Sequence, residues 1–175
     1  MVGNDRSGTV DVNLNLLKAV ELALTGGADL ANARDLITGA DLPIERTGPD
    51  TGDATRFERF EQFFDAYAEQ TRWIIRRAVE QYERTESVRA EFSPTPYLSC
   101  LVRGCAEKCL DVTQGGAELS FVTIEGVTFA TTVDSLLAIR DLVFDRKRCT
   151  MAQLVEALRA DWKGFETLQA WAKNR

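Results

Sequence analysis

The pattern Thr55-x-x-Glu58 stands just before a long apolar-periodic run, and that run constrains the fold more than any other feature of the chain. A Thr followed three residues later by Glu is the signature of a helix start, because each side chain can answer a backbone N–H that the helix leaves unpaired. From 56 to about 86, Phe57, Phe60, Phe64, Tyr67, Ile74 and Ala78 recur at intervals of three, four or seven, with Arg and Glu on the other faces. This is one apolar stripe on one helix. At 1.5 Å per residue such a helix of about 30 residues spans roughly 45 Å. In a chain of 175 residues it would run past any core the remaining residues can build, so a larger parent structure is expected. Residues 28–54, rich in Gly, Pro, Asp and Thr, point the same way. They read as a long irregular connection with one helical turn near 32–38, and so long a connection in a compact domain usually packs on something.

Composition narrows the function classes. Lys+Arg number 21 and Asp+Glu 27, a net charge of −6. An acidic chain argues against a dedicated nucleic-acid binder, which carries a basic face. No run reaches the roughly 18 apolar residues of a membrane span, and residues 1–8 hold no apolar signal-peptide core. There is no histidine, which removes the commonest general base and metal ligand. Four cysteines do not suggest a secreted disulfide scaffold, so a reducing cytoplasm is the simpler expectation.

Elsewhere, 11–25 reads as a helix stopped by Gly26-Gly27, which tolerate positive φ. Ser93-Pro94-Thr95-Pro96 breaks the long helix. A helix over 97–109, a turn over 111–116, and strands over 118–124 and 127–131 around Gly126 follow. Asp134 is the expected cap of a helix over 135–145. Thr150-x-x-Gln153 is a second capping box, opening a helix over 151–162, and a last helix covers 164–173. The total is about six helices and two short strands.

The candidate chemical motifs are weak. Cys100, Cys105 and Cys109 have C-x4-C-x3-C spacing with no fourth ligand near, and small buried core cysteines are the simpler reading. Gly115-Gly116 matches neither phosphate-loop pattern and reads as a turn. Arg146-Lys147-Arg148 reads as a solvated loop near a helix C-terminus. Glu118, Glu125 and Asp134 flank the strands without any sign of converging as acid and base.

A resemblance changes the picture. Residues 94–121 (PTPYLSCLVRGCAEKCLDVTQGGAELSF), 126–145 (GVTFATTVDSLLAIRDLVFD) and 150–171 (TMAQLVEALRADWKGFETLQAW) resemble the glycyl radical enzymes, the family of pyruvate formate-lyase and its dehydratase, choline lyase and decarboxylase relatives. The specific points are Pro96 with Leu98-Ser99, Cys105, Asp111 ahead of Gly115-Gly116-Ala117, and Gly126. Thr132-x-Asp134-Ser135-Leu136-x-Ala138-Ile139 is the strongest. Residues 15–27 (NLLKAVELALTGG) look like the helix after the family's active-site loop. The likeness covers nearly the whole chain in the expected order. Cys109, where relatives usually have Gly, and Glu118-Leu119, where many have Arg-Tyr, depart from it.

The resemblance implies an α-rich α/β fold, a partial piece of a ten-stranded barrel. It assigns residues 1–27 to the helix after the cysteine loop, 28–54 to an irregular connection, 55–92 to the long helix, and 93–175 to a strand pair with helices. It implies a radical lyase or formate-acetyltransferase-like enzyme of anaerobic metabolism. A glycyl radical, installed by a radical S-adenosylmethionine activating enzyme, passes to a cysteine in a Gly-Cys-x-Glu loop. None of these radical-carrying residues carries over. Gly104-Cys105-Ala106-Glu107 spells the motif but sits at a separate helical position, and no Arg-Val-x-Gly-Tyr occurs. The chain is thus expected to be a truncated or split component, inactive alone, with no catalytic residue, bound metal or bound cofactor of its own. Phe129 and Thr131 are the expected pocket-lining residues, with Gly115, Gly116, Asp134 and Ser135 as family structural motifs. The implied partners are the remaining segments of such an enzyme and its activating enzyme. A self-associating helical remnant, a homo-oligomer without catalysis, is the alternative.

Overall fold

In the computed structural model of the chain, residues 6–7, 10–30 and 46–174 are described. The helical turn expected near 32–38 lies outside them. In chain order the elements are β1 (Arg6–Ser7), β2 (Val10–Asn15), α1 (Leu16–Leu24), α2 (Phe60–Phe92), α3 (Pro96–Ser99), α4 (Cys105–Lys108), β3 (Leu119–Ser120), β4 (Thr123–Val127), α5 (Phe129–Ile139), α6 (Met151–Arg159) and α7 (Glu166–Lys173). The described residues thus hold seven helices and four strands, against six and two expected. They fall into two compact units, Met1–Leu14 with Ile75–Val127, and Asn15–Ile74 with Thr128–Arg175.

The second unit is helical. Its core joins Val20 and Ala23 of α1, Phe63 and Ala66 of α2, Leu136 and Ile139 of α5, Met151, Leu154 and Ala157 of α6, and Leu168 of α7. Phe63 is fully buried, and Phe60 meets Phe144 edge-on at 6.1 Å between ring centroids. Gln70 is also fully buried. Its Nε2 donates to the Pro49 carbonyl at 2.8 Å and to Thr51 Oγ1 at 3.1 Å, while its Oε1 has no partner.

Several boundaries differ from the sequence expectation. The long helix starts at Phe60 rather than Arg56 and ends at Phe92 rather than Glu86. Thr55 does not cap it. Asp53 Oδ1 accepts from Thr55 N and Oγ1 at 2.9 and 2.7 Å, closing a separate 3-10 turn over Ala54–Arg56. The orphan donors at the helix entrance are answered by Gln62, whose Oε1 accepts from Glu58 N and Arg59 N at 2.9 and 3.0 Å. Beyond Gln70, α2 buries no residue.

The helix expected over 11–25 is half strand. β2 runs to Asn15, whose side chain caps α1 by accepting from Leu17 N at 3.1 Å. Gly26 and Gly27 end α1 at φ +63° and +91°, as expected. The strand expected over 127–131 stops at Val127, and Phe129 and Thr131 belong to the first turn of α5. Asp134 is therefore inside a helix rather than capping one. The cap position is Thr128, in the left-handed region at φ +63°. Its hydroxyl donates to Asn15 Oδ1 at 2.9 Å and accepts from Leu17 N at 3.1 Å. The helix expected over 135–145 changes winding at Arg140, and Arg140–Asp145 forms a π-type turn. The second capping box stands as read: Thr150 Oγ1 accepts from Gln153 N, and Gln153 Oε1 accepts from Thr150 N.

In the first unit, β1 and β3 pair in parallel, with Arg6 opposite Leu119, and β2 pairs with β4. The strand expected over 118–124 is only Leu119–Ser120, with Thr123 and Ile124 entering β4. The single helix expected over 97–109 is two short ones. Gly104 at φ +94° and Cys109 at φ +52° stand in left-handed conformations that no continuous helix accepts. Val102, Cys105, Val112 and Ala117 form a small core. Among the described residues no helix is long and apolar enough to cross a membrane.

Candidate functional site

A cavity of about 1240 Å³ opens in the second unit between α1, α5, α6 and the residues that follow them. Of the residues singled out in the sequence, Thr131, Asp134 and Ser135 line it. Their spacing of three and four puts them on one face of α5. Phe129 does not line it and is 67% exposed. Gly115 and Gly116 belong to the first unit, as do Glu118 and Glu125, whereas Asp134 belongs to the second.

Lys18, Glu21 and Asp29 are charged residues of this cavity that did not stand out as candidates in the sequence. Lys18 Nζ donates to Glu21 Oε1 at 2.7 Å and to Asp29 Oδ1 at 2.5 Å. Glu21 Oε1 also accepts from Leu30 N at 2.9 Å. Lys18 and Glu21 sit one turn apart on α1, and the Gly26-Gly27 reversal returns the chain so that Asp29 meets them. The i,i+3 pair was visible in the sequence; the return of Asp29 was not. Burial alone would lower the Lys18 pKa, but the bonds to Asp29 and Glu21 outweigh it and hold the ammonium above the ordinary lysine value. A lysine held charged in this way is neither a base nor a nucleophile near neutral pH.

The thiols of Cys105 and Cys149 are no more reactive. Only Cys105 is buried; Cys100 and Cys109 are exposed and Cys149 is intermediate, so the buried-core expectation fails for the first and third of the C-x4-C-x3-C set. Loss of solvent, followed by the nearby Asp111 charge, raises the Cys105 pKa, and burial raises that of Cys149. A raised pKa keeps a thiol protonated and weakly nucleophilic. The described residues hold no group of three or more Cys, Asp or Glu placed to grip a metal ion.

In the first unit the Gly115-Gly116 turn is held by Asp111. Its carboxylate accepts from Thr113 N and Oγ1 at 2.9 and 2.7 Å, from Ser99 Oγ at 2.7 Å and from Thr95 N at 3.1 Å. Desolvation opposes the charge, but these bonds together outweigh it and hold the carboxyl well below the usual range. Gly115 takes φ +77°, and a Cβ at Gly116 would collide with the Leu110 carbonyl. This is a turn anchored by side-chain bonds and crowded at Gly116 by backbone carbonyls. Glu118 faces Arg103 at 3.7 Å, with both side chains exposed. In the basic run, Arg146 pairs with Asp141 at 2.9 Å and the Arg148 guanidinium lies 5.0 Å from the Trp171 ring centroid, an exposed loop as read.

Short strands leading into helices, and a helical core around a cavity, define a helix-rich α/β protein. The comparisons say which. The pyruvate formate lyase-like family matches residues 1–174. The chain is 32% identical to the trans-4-hydroxy-L-proline dehydratase of Clostridioides difficile over 93% of its own length and 19% of that protein. It is 34% identical to an isethionate sulfite-lyase of Oleidesulfovibrio alaskensis, over 92% of its length and 18% of that protein. It superposes on the B12-independent glycerol dehydratase of Clostridium butyricum with a TM-score of 0.81 and 28% identity, covering 95% of this chain and 20% of the other. A glycyl radical enzyme from Archaeoglobus fulgidus gives a TM-score of 0.76 at 30% identity, over 91% and 18%. The chain belongs to the pyruvate formate lyase-like family of glycyl radical enzymes, and its fold corresponds to part of their barrel. It spans about a fifth of the length of these relatives.

Proposed function

We propose that this chain is a scaffold component of a glycyl radical enzyme of the dehydratase or lyase type. It would supply strands and outer helices, while the radical-carrying residues come from sequence outside 1–175. The observation that carries the reading is the pairing of a family match over 1–174 with a cavity in which Lys18 is bonded to Glu21 and Asp29 rather than left free for chemistry. The one Gly-Cys-x-Glu stretch does not fit a radical relay. Cys105 is 3% exposed, and Glu107 Oε2 is engaged by Gly104 N at 3.0 Å, capping α4. A carboxylate used as a helix cap is not free to act as a base on substrate, so no catalytic step is routed through these residues. Free thiols suit a reducing cytoplasm, where we place the protein.

Sequencing of the flanking DNA in all frames, then co-expression with a radical S-adenosylmethionine activating enzyme, tests this. The chain alone should give no glycyl radical signal by electron paramagnetic resonance. Chain plus segments bearing Gly-Cys-x-Glu and Arg-Val-x-Gly-Tyr should give one. A radical signal from residues 1–175 alone would overturn the reading.

A second reading has its own support. Tyr97 is 82% and Phe92 73% exposed, and exposed apolar side chains favour association. A non-catalytic remnant would then self-associate. Sedimentation would show a homo-oligomer that does not dissociate when complementary segments are added.

A further inference from the structure

The cavity of the second unit joins apolar walls to two uncommitted positive charges, and that combination specifies a ligand chemistry. Leu17 and Leu24 of α1 and Leu154, Val155 and Leu158 of α6 supply much of its apolar lining. Its acids are already taken: Glu21 and Asp29 both pair with Lys18, and Asp134 is engaged as well. Lys18 is committed to the same two acids. Arg159 at the end of α6 and Lys173 at the end of α7 also line the cavity, and neither has an ion-pair partner among the described residues. Both are exposed, which puts them at its mouth. Their stems can lie on apolar surface while the charged heads stay in water.

The far end of α6 fixes the remaining wall. Asp161 and Trp162 both take left-handed φ, +50° and +63°, which residues other than glycine adopt at a cost. Trp162 N donates to the Ala157 carbonyl at 2.8 Å, so the turn is tied back to the helix and the tryptophan is held where it lines the cavity. The volume, about 1240 Å³, exceeds the roughly 300–1,000 Å³ usual for compact ligands and suits a long flexible chain. A small polar anion would leave the apolar walls wet. A neutral apolar molecule would make no use of Arg159 and Lys173. We propose that this cavity binds a straight-chain aliphatic carboxylate, with the chain against the apolar walls and the head between Arg159 and Lys173. The proposal goes beyond the scaffold reading and uses none of its evidence.

Calorimetric titration of the full chain with decanoate, far below its micelle-forming concentration, tests this, with decan-1-ol as the uncharged analogue. The wild type should bind one decanoate per chain. Arg159→Gln combined with Lys173→Gln removes two exposed ion pairs, so decanoate should weaken about fivefold or more while decan-1-ol is unchanged. Ala138→Phe fills part of the apolar wall and should weaken both ligands about tenfold or more. If its circular dichroism spectrum shows that it does not fold, Val155→Phe is read in its place, and the double charge variant decides alone if neither folds. Tyr97→Ser, in the other unit, should change neither ligand. No binding by the wild type, or uptake of several decanoates per chain, overturns the proposal. So does a double charge variant that binds decanoate as the wild type does or loses both ligands equally, and so does a folded filled variant that binds as the wild type does. Each of these results leaves the scaffold reading standing.

Discussion

Asp111 is the most heavily engaged side chain of the first unit, and its removal has a calculable cost. In Asp111→Ala the backbone N–H groups of Thr95 and Thr113 lose their acceptor. A donor left unsatisfied in a partly buried place costs about 1–3 kcal/mol. Thr113 is 8% exposed and Thr95 is half-buried, so the lower half of the range applies and the sum is about 2–4 kcal/mol. At about 1.4 kcal/mol per factor of ten, amides closed by this turn should exchange about 30-fold to several hundred-fold faster. The reporters are Lys108 N, Leu110 N and Gly116 N, bonded to the carbonyls of Gly104, Cys105 and Asp111. Asp111→Asn keeps one acceptor oxygen but turns an amide N–H₂ toward another donor, so about half the loss is expected. The pH dependence has a definite sign. The native carboxyl is held below its ordinary value, so its stabilisation is complete above the unfolded-chain pKa of about 3.9 and fades as pH falls through the lower native value. Wild-type protection over 104–116 should therefore weaken only below about pH 4, and the Asn variant should lack that acid step. Hydrogen exchange with mass spectrometry reads both effects, with exposed Glu91→Ala as control. A change below about threefold in Asp111→Ala would refute the assignment of Asp111 as the anchor of this turn.

Three further outcomes follow from the packing. Phe63→Ala empties a fully buried site in the helical core and should cost about 3–5 kcal/mol, read by tryptophan fluorescence during urea unfolding, since Trp73, Trp162 and Trp171 all belong to that unit. Gly104→Ala should cost at least about 2 kcal/mol, because φ is +94° and the new Cβ would lie 2.7 Å from Glu118 N and 2.8 Å from the Gly116 carbonyl; wild-type-like exchange over 104–118 would contradict it. Lys18→Met leaves Asp29, 8% exposed, without its cation, and should cost about 1–2 kcal/mol at neutral pH after solvent screening. The Lys18 contribution is complete below about pH 10.4 and is lost as pH rises through the higher native value, so a wild-type alkaline melting step absent from the variant is the signature.

Local chemistry was legible wherever the partner lay a few residues away. Thr150 and Gln153 close their box within one turn. Gly26, Gly27 and Gly115 take the left-handed φ that their turns demand. The break at Ser93-Pro94 follows from the proline itself. Family membership was also legible, because it rests on ordered motifs and not on any boundary. Of the two residues expected to line a pocket, Thr131 lies on this cavity and Phe129 does not; Asp134 and Ser135, expected as structural-motif residues, line it as well, and the meeting of Lys18 with Asp29 left no signal in the sequence because the chain returns through the Gly26-Gly27 reversal.

What the sequence by itself determined, then, were the interactions within a single turn and the family to which the chain belongs. Tertiary structure decided the rest, for one physical reason: an orphan backbone group takes the first good partner that space offers. Thr55 has the right spacing to cap a helix, but Asp53 takes its hydroxyl and its N–H, and the helix starts four residues later with Gln62 answering the free donors. Residues 127–131 carry β-branched and aromatic side chains that suit a strand, yet Thr128 bonds across 111 residues to Leu17 N, and α5 begins there instead. The same long-range joining of α1 to α5 lines one cavity with Lys18 and Thr131, a juxtaposition that no spacing in the chain encodes.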